Sequence, residues 1–95
     1  MIGKKVIIRG INSGVFFGTL AEKNGSEVRL HDCRRLWYWE GAASISQIAV
    51  EGVKEPDACK FTVSVPDIII TDAVEIIACS DYAVDNISGV KEWKI

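Results

Sequence analysis

The densest chemistry in this chain lies between Arg34 and Ser44. Arg34 and Arg35 precede Leu36, and three consecutive aromatics follow, Trp37, Tyr38 and Trp39. After Glu40, the small residues Gly41, Ala42 and Ala43 lead to Ser44. Each part suits a nucleotide-like anion. Guanidinium groups take phosphate in bidentate fashion. Aromatic faces stack on a base, an interaction worth about 1–3 kcal/mol per base. Small residues let a ligand approach backbone N–H groups, and Ser44-Ile45-Ser46-Gln47 has the S-x-x-Q form of a box that caps a helix. The candidate ligand site is therefore Arg34, Arg35, Trp37, Tyr38, Trp39, Gly41, Ala42, Ala43 and Ser44. Packing competes for several of these. On a regular strand Trp37 and Trp39 share one face and Leu36 and Tyr38 the other, so one pair is expected in the core. Ser44 and Gln47 would cap a helix whether or not anything binds.

The catalytic inventory is thin. His31 is the single histidine, and the three cysteines, Cys33, Cys59 and Cys79, form no C-x-x-C pair. That spacing predicts no zinc site and no metal ligand set. In His31-Asp32-Cys33, a regular strand would turn His31 and Cys33 to one side, the one arrangement here able to activate a thiol. A buried cysteine beside an edge histidine is the plainer reading. No glycine-rich phosphate loop, no H-E-x-x-H and no paired carboxylates at motif spacing occur. The sequence thus predicts a binder, not an enzyme, with no cofactor.

Ninety-five residues predict one domain, 1–95, with one modest core. An apolar share of 48% is that of a globular chain. Eleven Lys and Arg against thirteen Asp and Glu leave a net charge of -2, which argues against a duplex-DNA binder. Apolar runs such as Ile68–Ile70 are too short to span a bilayer, and Met1–Gly10 lacks the apolar core of a signal peptide. The cysteines read as reduced, and the expected location is the cytoplasm.

The elements that would position the site are mainly strands. Lys5–Arg9, Val15–Leu20 and Glu27–His31 read as a three-stranded antiparallel meander. Gly18 marks a bulge or a close backbone approach, and Asn24-Gly25 should supply both central residues of a type I′ turn. A short helix is predicted over 45–51 and stopped by Gly52. Phe61, Val63 and Val65 read as one clean strand broken by Pro66-Asp67. Ile68–Ile70 and Val74–Ala78 read as one or two further strands, and Ser80 as the cap of a helix over 81–88 ended by Gly89. Val90–Ile95 is expected as a terminal strand anchored by Trp93. The fold class is α+β, mainly β: an antiparallel sheet or small open barrel with two short helices.

The opening G-K-K-V-I-I-R-G-I-N-S-G-V-F-F-G-T-L and the stretch C-R-R-L-W-Y-W-E-G-A-A-S-I-S-Q-I-A resemble a family of short proteins encoded by tailed bacteriophages and prophages. The likeness covers nearly the whole chain and is densest at 33–49. That family carries no established activity, so the resemblance transfers no catalytic residue. By analogy with small phage inhibitors of host immunity, it implies a sponge that sequesters a nucleotide-type immune signal in the host cytoplasm. The alternative is a small adaptor for single-stranded nucleic acid or protein, and the third reading is a nucleotide-cleaving enzyme working through His31 and Cys33. A chain this small has little room for a deep private pocket. A homo-oligomer with its ligand site at a subunit interface is therefore expected.

Overall fold

β-Branched and aromatic runs build the first three strands, and the computed structural model describes all of residues 1–95. The strands are β1 (Lys5–Gly10), β2 (Val15–Asn24) and β3 (Glu27–Tyr38). Helix α1 (Ile45–Glu51), a 3-10 turn at Pro56–Ala58, β4 (Lys60–Phe61), β5 (Val65–Ile70), β6 (Ala73–Ala78) and α2 (Asp81–Ser88) follow. All the ladders are antiparallel, in the order β4-β3-β2-β1-β6. β3 is long enough to take two partners along one side, β5 from Val28 to Cys33 and β4 from Leu36 to Tyr38. The sheet is open, because β5 and β6 form no ladder with each other. Only Thr71 and Asp72 join those two edge strands, so the sheet must curl to bring its ends close. This is the expected mainly β architecture with two short helices.

Two bulges produce the bend. Thr19 faces His31 while Phe17 faces Arg34, so Asp32 and Cys33 together oppose Gly18. Asp32 adopts a positive φ of 50° there. A Cβ on Gly18 would lie 3.1 Å from the Cys33 Cα and from the His31 carbonyl oxygen. The close approach read from the sequence is therefore real. A second shift, between Leu20–Leu30 and Glu22–Arg29, leaves Ala21 as the extra residue. Bulges sharpen local twist, and this pair lets one ribbon fold over itself.

The expectation of a single core is corrected, because the sheet buries both faces. Val6, Ile8, Phe16, Leu20, Val28, Leu30, Cys33 and Ile70 fill the curled interior. Ile7, Phe17, Leu36 and Phe61 point to the other face, where Ile48 and Ala49 of α1 and Ala83 and Ile87 of α2 cover them. The continuous apolar runs of β1 and β2 are those of strands covered on both sides. Both helices begin as read, with Ser44 Oγ accepting from Gln47 N and Ser80 Oγ from Ala83 N.

Three local expectations are also corrected. Asn24 still pairs with Glu27, so Gly25 and Ser26 form the two-residue turn, and Gly25 alone has a positive φ, 63°. That is the pattern of a type II′ turn, with glycine first, and not of type I′. Phe61–Val65 is not one strand: β4 ends at Phe61, and β5 starts at Val65. Pro66 does not break β5 but lies inside it, opposite Asp32, on an edge where its missing N–H is harmless. The C-terminal segment forms no strand beyond a single parallel bridge from Glu92 to Phe61.

Candidate functional site

The adjacent arginines diverge. Arg34 is buried, only 6% exposed. Its Nε donates to Thr62 O at 3.0 Å, Nη1 to Ile87 O at 2.8 Å and Nη2 to Phe61 O at 3.2 Å. It thus ties β3 to the chain after β4 and to the last turn of α2, where carbonyls carry the negative end of the helix dipole. Burial pulls its pKa below the ordinary arginine value. Arg35 leaves the opposite face, 4.6 Å over the Phe16 ring, with Nη1 donating to Ser13 O at 2.8 Å. It borders an open hollow of about 490 Å³ shared with Asn12, Ile68 and Asp72. Ser13 Oγ and the Asn12 and Ser13 N–H groups donate to Asp72 and hold its carboxyl below the usual range. Arg34 and Arg35, both expected as phosphate contacts of one ligand site, are not brought together: alternation along β3 sends them to different faces.

The aromatics diverge as well. Leu36 pairs with Phe61 and Tyr38 with Lys60, so Trp37 is an extra residue in β3. It is 63% exposed and lies parallel to Trp93, with ring centroids 6.2 Å apart and planes 7° apart. Trp93 is itself 47% exposed. The Lys60 ammonium sits 5.8 Å from the Tyr38 ring centroid and 5.5 Å from that of Trp93. The Tyr38 hydroxyl donates to the Glu40 carboxylate, which pushes the phenol pKa up. Trp39 instead packs, half-buried, against the helix-side core. Trp37 and Trp39 therefore do not share a face, because the bulge breaks the period of two and the strand ends at Tyr38.

The loop from Gly41 to Ser44 uses several of its polar groups internally. Gly41, at φ 84°, accepts from Lys54 N at 3.1 Å, and a Cβ there would lie 2.5 Å from Glu55 N. Its small size serves a chain crossing. Ala42 packs against the core. Ala43 N donates to Gln47 Oε1 at 2.7 Å, so the capping box reaches one residue further back than Ser44. None of these four residues meets Arg34 or the exposed Trp37 ring through a hydrogen bond.

The bulge at Asp32 also separates His31 from Cys33. Cys33 points into the curled interior, 2% exposed, and burial pushes its pKa up to about 12. His31 is exposed, its Nε2 3.7 Å from Asp67 Oδ1, beside the Arg29 Nε at 3.1 Å from the same oxygen. The Cys–His pair allowed by a regular strand is not formed. No group of three His, Cys, Asp or Glu side chains stands ready to hold a metal.

The arrangement brought together by the fold is an exposed aromatic platform of Trp37, Tyr38 and Trp93 with Lys60 between two of its rings. A hollow of about 300 Å³ beside it is lined by Pro56, Lys91, Trp93 and Lys94 among others. The Trp93 N–H donates to Phe61 O at 2.8 Å, and Glu92 Oε2 accepts from Ser64 N at 3.2 Å, which fixes the C-terminal segment in place. Sequence reasoning noticed Trp93 as an anchor and missed it as a site residue. Lys60 carried no signal, since its role depends on pairing with Tyr38. The largest hollow, about 690 Å³ and lined by Val50, Lys54, Tyr82 and Asn86 among others, shares no residue with the platform.

Residues 3–87 match the family described as a domain of unknown function (DUF6948), and the chain belongs to it. The matched span contains Trp37, Tyr38 and Lys60 and ends before Trp93. No curated protein and no solved structure matches the chain.

Proposed function

We propose that this member of the DUF6948 family is a non-enzymatic binding domain that holds a nucleotide-type ligand by stacking bases on Trp37 and Trp93. One observation carries the reading: two parallel, exposed indoles 6.2 Å apart with a lysine ammonium 5.5 Å from one of them. Every base has a π-face, so such a surface binds without reading sequence. Lys60 and Lys91 supply positive charge for the backbone phosphate, while Lys94 is half-committed to Glu92 at 3.6 Å.

The platform is open on its outer side, which favours a short single-stranded stretch over a lone nucleotide. Tight small-molecule sites enclose about 70–90% of the ligand surface. Sequestration of a small nucleotide immune signal by a phage-encoded sponge would use the same rings and need a second wall. Tryptophan fluorescence titration with an oligothymidylate and with a mononucleotide tests both. Quenching by the oligomer, lost in Trp37→Ala, is expected. No response to either ligand removes the nucleotide reading.

A further inference from the structure

Six polar side chains border one hollow of about 200 Å³ on the helix-covered side of the sheet: Lys5, Asp32, Arg34, Ser64, Ser88 and Glu92. Phe17 and Val90, both of the helix-side core, form its apolar wall. None of the platform's rings lines it.

Most of the polar groups around this hollow have no partner in the chain. The Lys5 ammonium and the Asp32 carboxylate form neither a hydrogen bond nor an ion pair. The one group that Lys5 meets is the Phe17 ring, 5.5 Å from its nitrogen. A guanidinium carries five donor protons. Arg34, buried as it is, gives one each to the carbonyls of Thr62, Ile87 and Phe61, which leaves a free proton on each Nη. Only the Glu92 carboxylate is occupied, by Ser64 N at 3.2 Å and by Lys94 at 3.6 Å. Two cations and two carboxylates therefore border a common space and do not pair across it. Asp32 is also the only non-glycine residue of the chain with a positive φ, 50°. Backbone strain of that kind gathers at binding sites.

We propose that this hollow binds a small free α-amino acid as its zwitterion. The ligand's carboxylate takes the two free Arg34 protons and the Lys5 ammonium, and its own ammonium goes to the Asp32 carboxylate. An α-amino acid holds both charges on one carbon, and the formal charges around the hollow cancel in the same way, Lys5 and Arg34 against Asp32 and Glu92. A lone anion would meet two carboxylates there, and a lone cation two basic groups, each left uncompensated. The size agrees. Pockets for drug-sized ligands run from about 300 Å³ upward, so this one suits a few heavy atoms, with a side chain no larger than that of alanine or serine. The site does not depend on the stacking reading.

Titration followed by amide shifts in nitrogen–proton correlation NMR tests it, with glycine, L-alanine and L-serine as probes and acetate and methylammonium as half-ligands. Saturable shifts at Asp32, Arg34, Ser64 and Ser88 are expected with at least one probe. Either half-ligand should bind at least about tenfold more weakly, the loss expected when a charge-assisted hydrogen bond goes. Lys5→Met and Asp32→Asn should each weaken the amino acid by about tenfold, and asparagine keeps the positive φ within reach. Lys23→Met removes an exposed lysine of the β2–β3 hairpin and should leave affinity unchanged. If a variant misfolds, the half-ligands decide alone. A half-ligand that binds as tightly as the best probe overturns the proposal, since the hollow would then read one charge only. So does the absence of any saturable shift, and so do folded Lys5→Met and Asp32→Asn chains that bind like wild type. An equal loss in Lys23→Met overturns it as well, because it would mark a general charge effect.

Discussion

Arg34 and Arg35 are neighbours in sequence whose guanidinium groups lie on opposite faces of one strand, the first 5.7 Å from the Phe61 ring and the second 4.6 Å from the Phe16 ring. Arg34 bonds three carbonyls inside the helix-side core, and Arg35 bonds one at the rim of the curled interior. The same residue type thus has a structural task at one position and a surface task at the next.

That difference predicts opposite mutational outcomes. Arg34→Met should lower unfolding stability by about 2–4 kcal/mol, because charge-assisted bonds to buried carbonyls are lost and those carbonyls stay unpaired. Arg35→Ala should change it by less than about 1 kcal/mol. Urea titration of both variants measures this, and equal losses would contradict the assignment.

Binding should follow the platform. If bases stack on the indoles, Trp37→Ala and Trp93→Ala each weaken oligothymidylate binding by about 1–3 kcal/mol, roughly 5- to 150-fold. Trp39→Phe should leave affinity unchanged, since that ring packs inward. Isothermal titration of the three variants distinguishes a stacking site from a general charge effect, which would spare all of them.

The thiols give a pH prediction. Cys33 is raised to about 12 and Cys79 to about 11 by burial, from a usual value of 9.0. A raised pKa means that the folded state holds the proton more tightly. Its contribution is fully present below pH 9.0 and is lost as pH rises toward the folded values. Stability should therefore fall through that alkaline window, by up to about 1.4 kcal/mol per pH unit for each thiol. Cys33→Ala should flatten the decline. Parallel pH profiles for wild type and variant would remove the Cys33 contribution.

Two glycines should respond differently to alanine. Gly41→Ala meets backbone at 2.5 Å and keeps a φ of 84°, so it should destabilise by about 2 kcal/mol or more. Gly25→Ala meets nothing within 4 Å and should cost only about 1 kcal/mol for its positive φ. Thermal melts rank the pair, and the reverse order would show that the loop at 41 can give way.

Much of the local structure is legible in the residues themselves. Ser44 and Ser80 cap helices because a hydroxyl before an apolar stripe satisfies a free N–H. β-Branched and aromatic runs placed β1 and β2, alternation placed the start of β3, and Gly18 marked the tight approach to Cys33. The turn at Gly25-Ser26 was misplaced by one residue, because either neighbour of a glycine can complete a two-residue turn and strand register selects between them.

Read alone, the sequence determines that this is an antiparallel β domain with two capped helices and an aromatic, basic segment at 34–39. Only the tertiary structure decides which of those side chains meet. Strand alternation is a local rule of period two, and a single bulge inverts it. The bulge at Asp32 separates His31 from Cys33, and the bulge at Trp37 releases that ring to the surface while Trp39 turns inward. Both are set by what the neighbouring strand presents, Gly18 in one case and the short pairing of Tyr38 with Lys60 in the other. Trp93, distant in sequence, reaches Trp37 only because its N–H bonds to Phe61 O, a contact that no spacing within the chain announces.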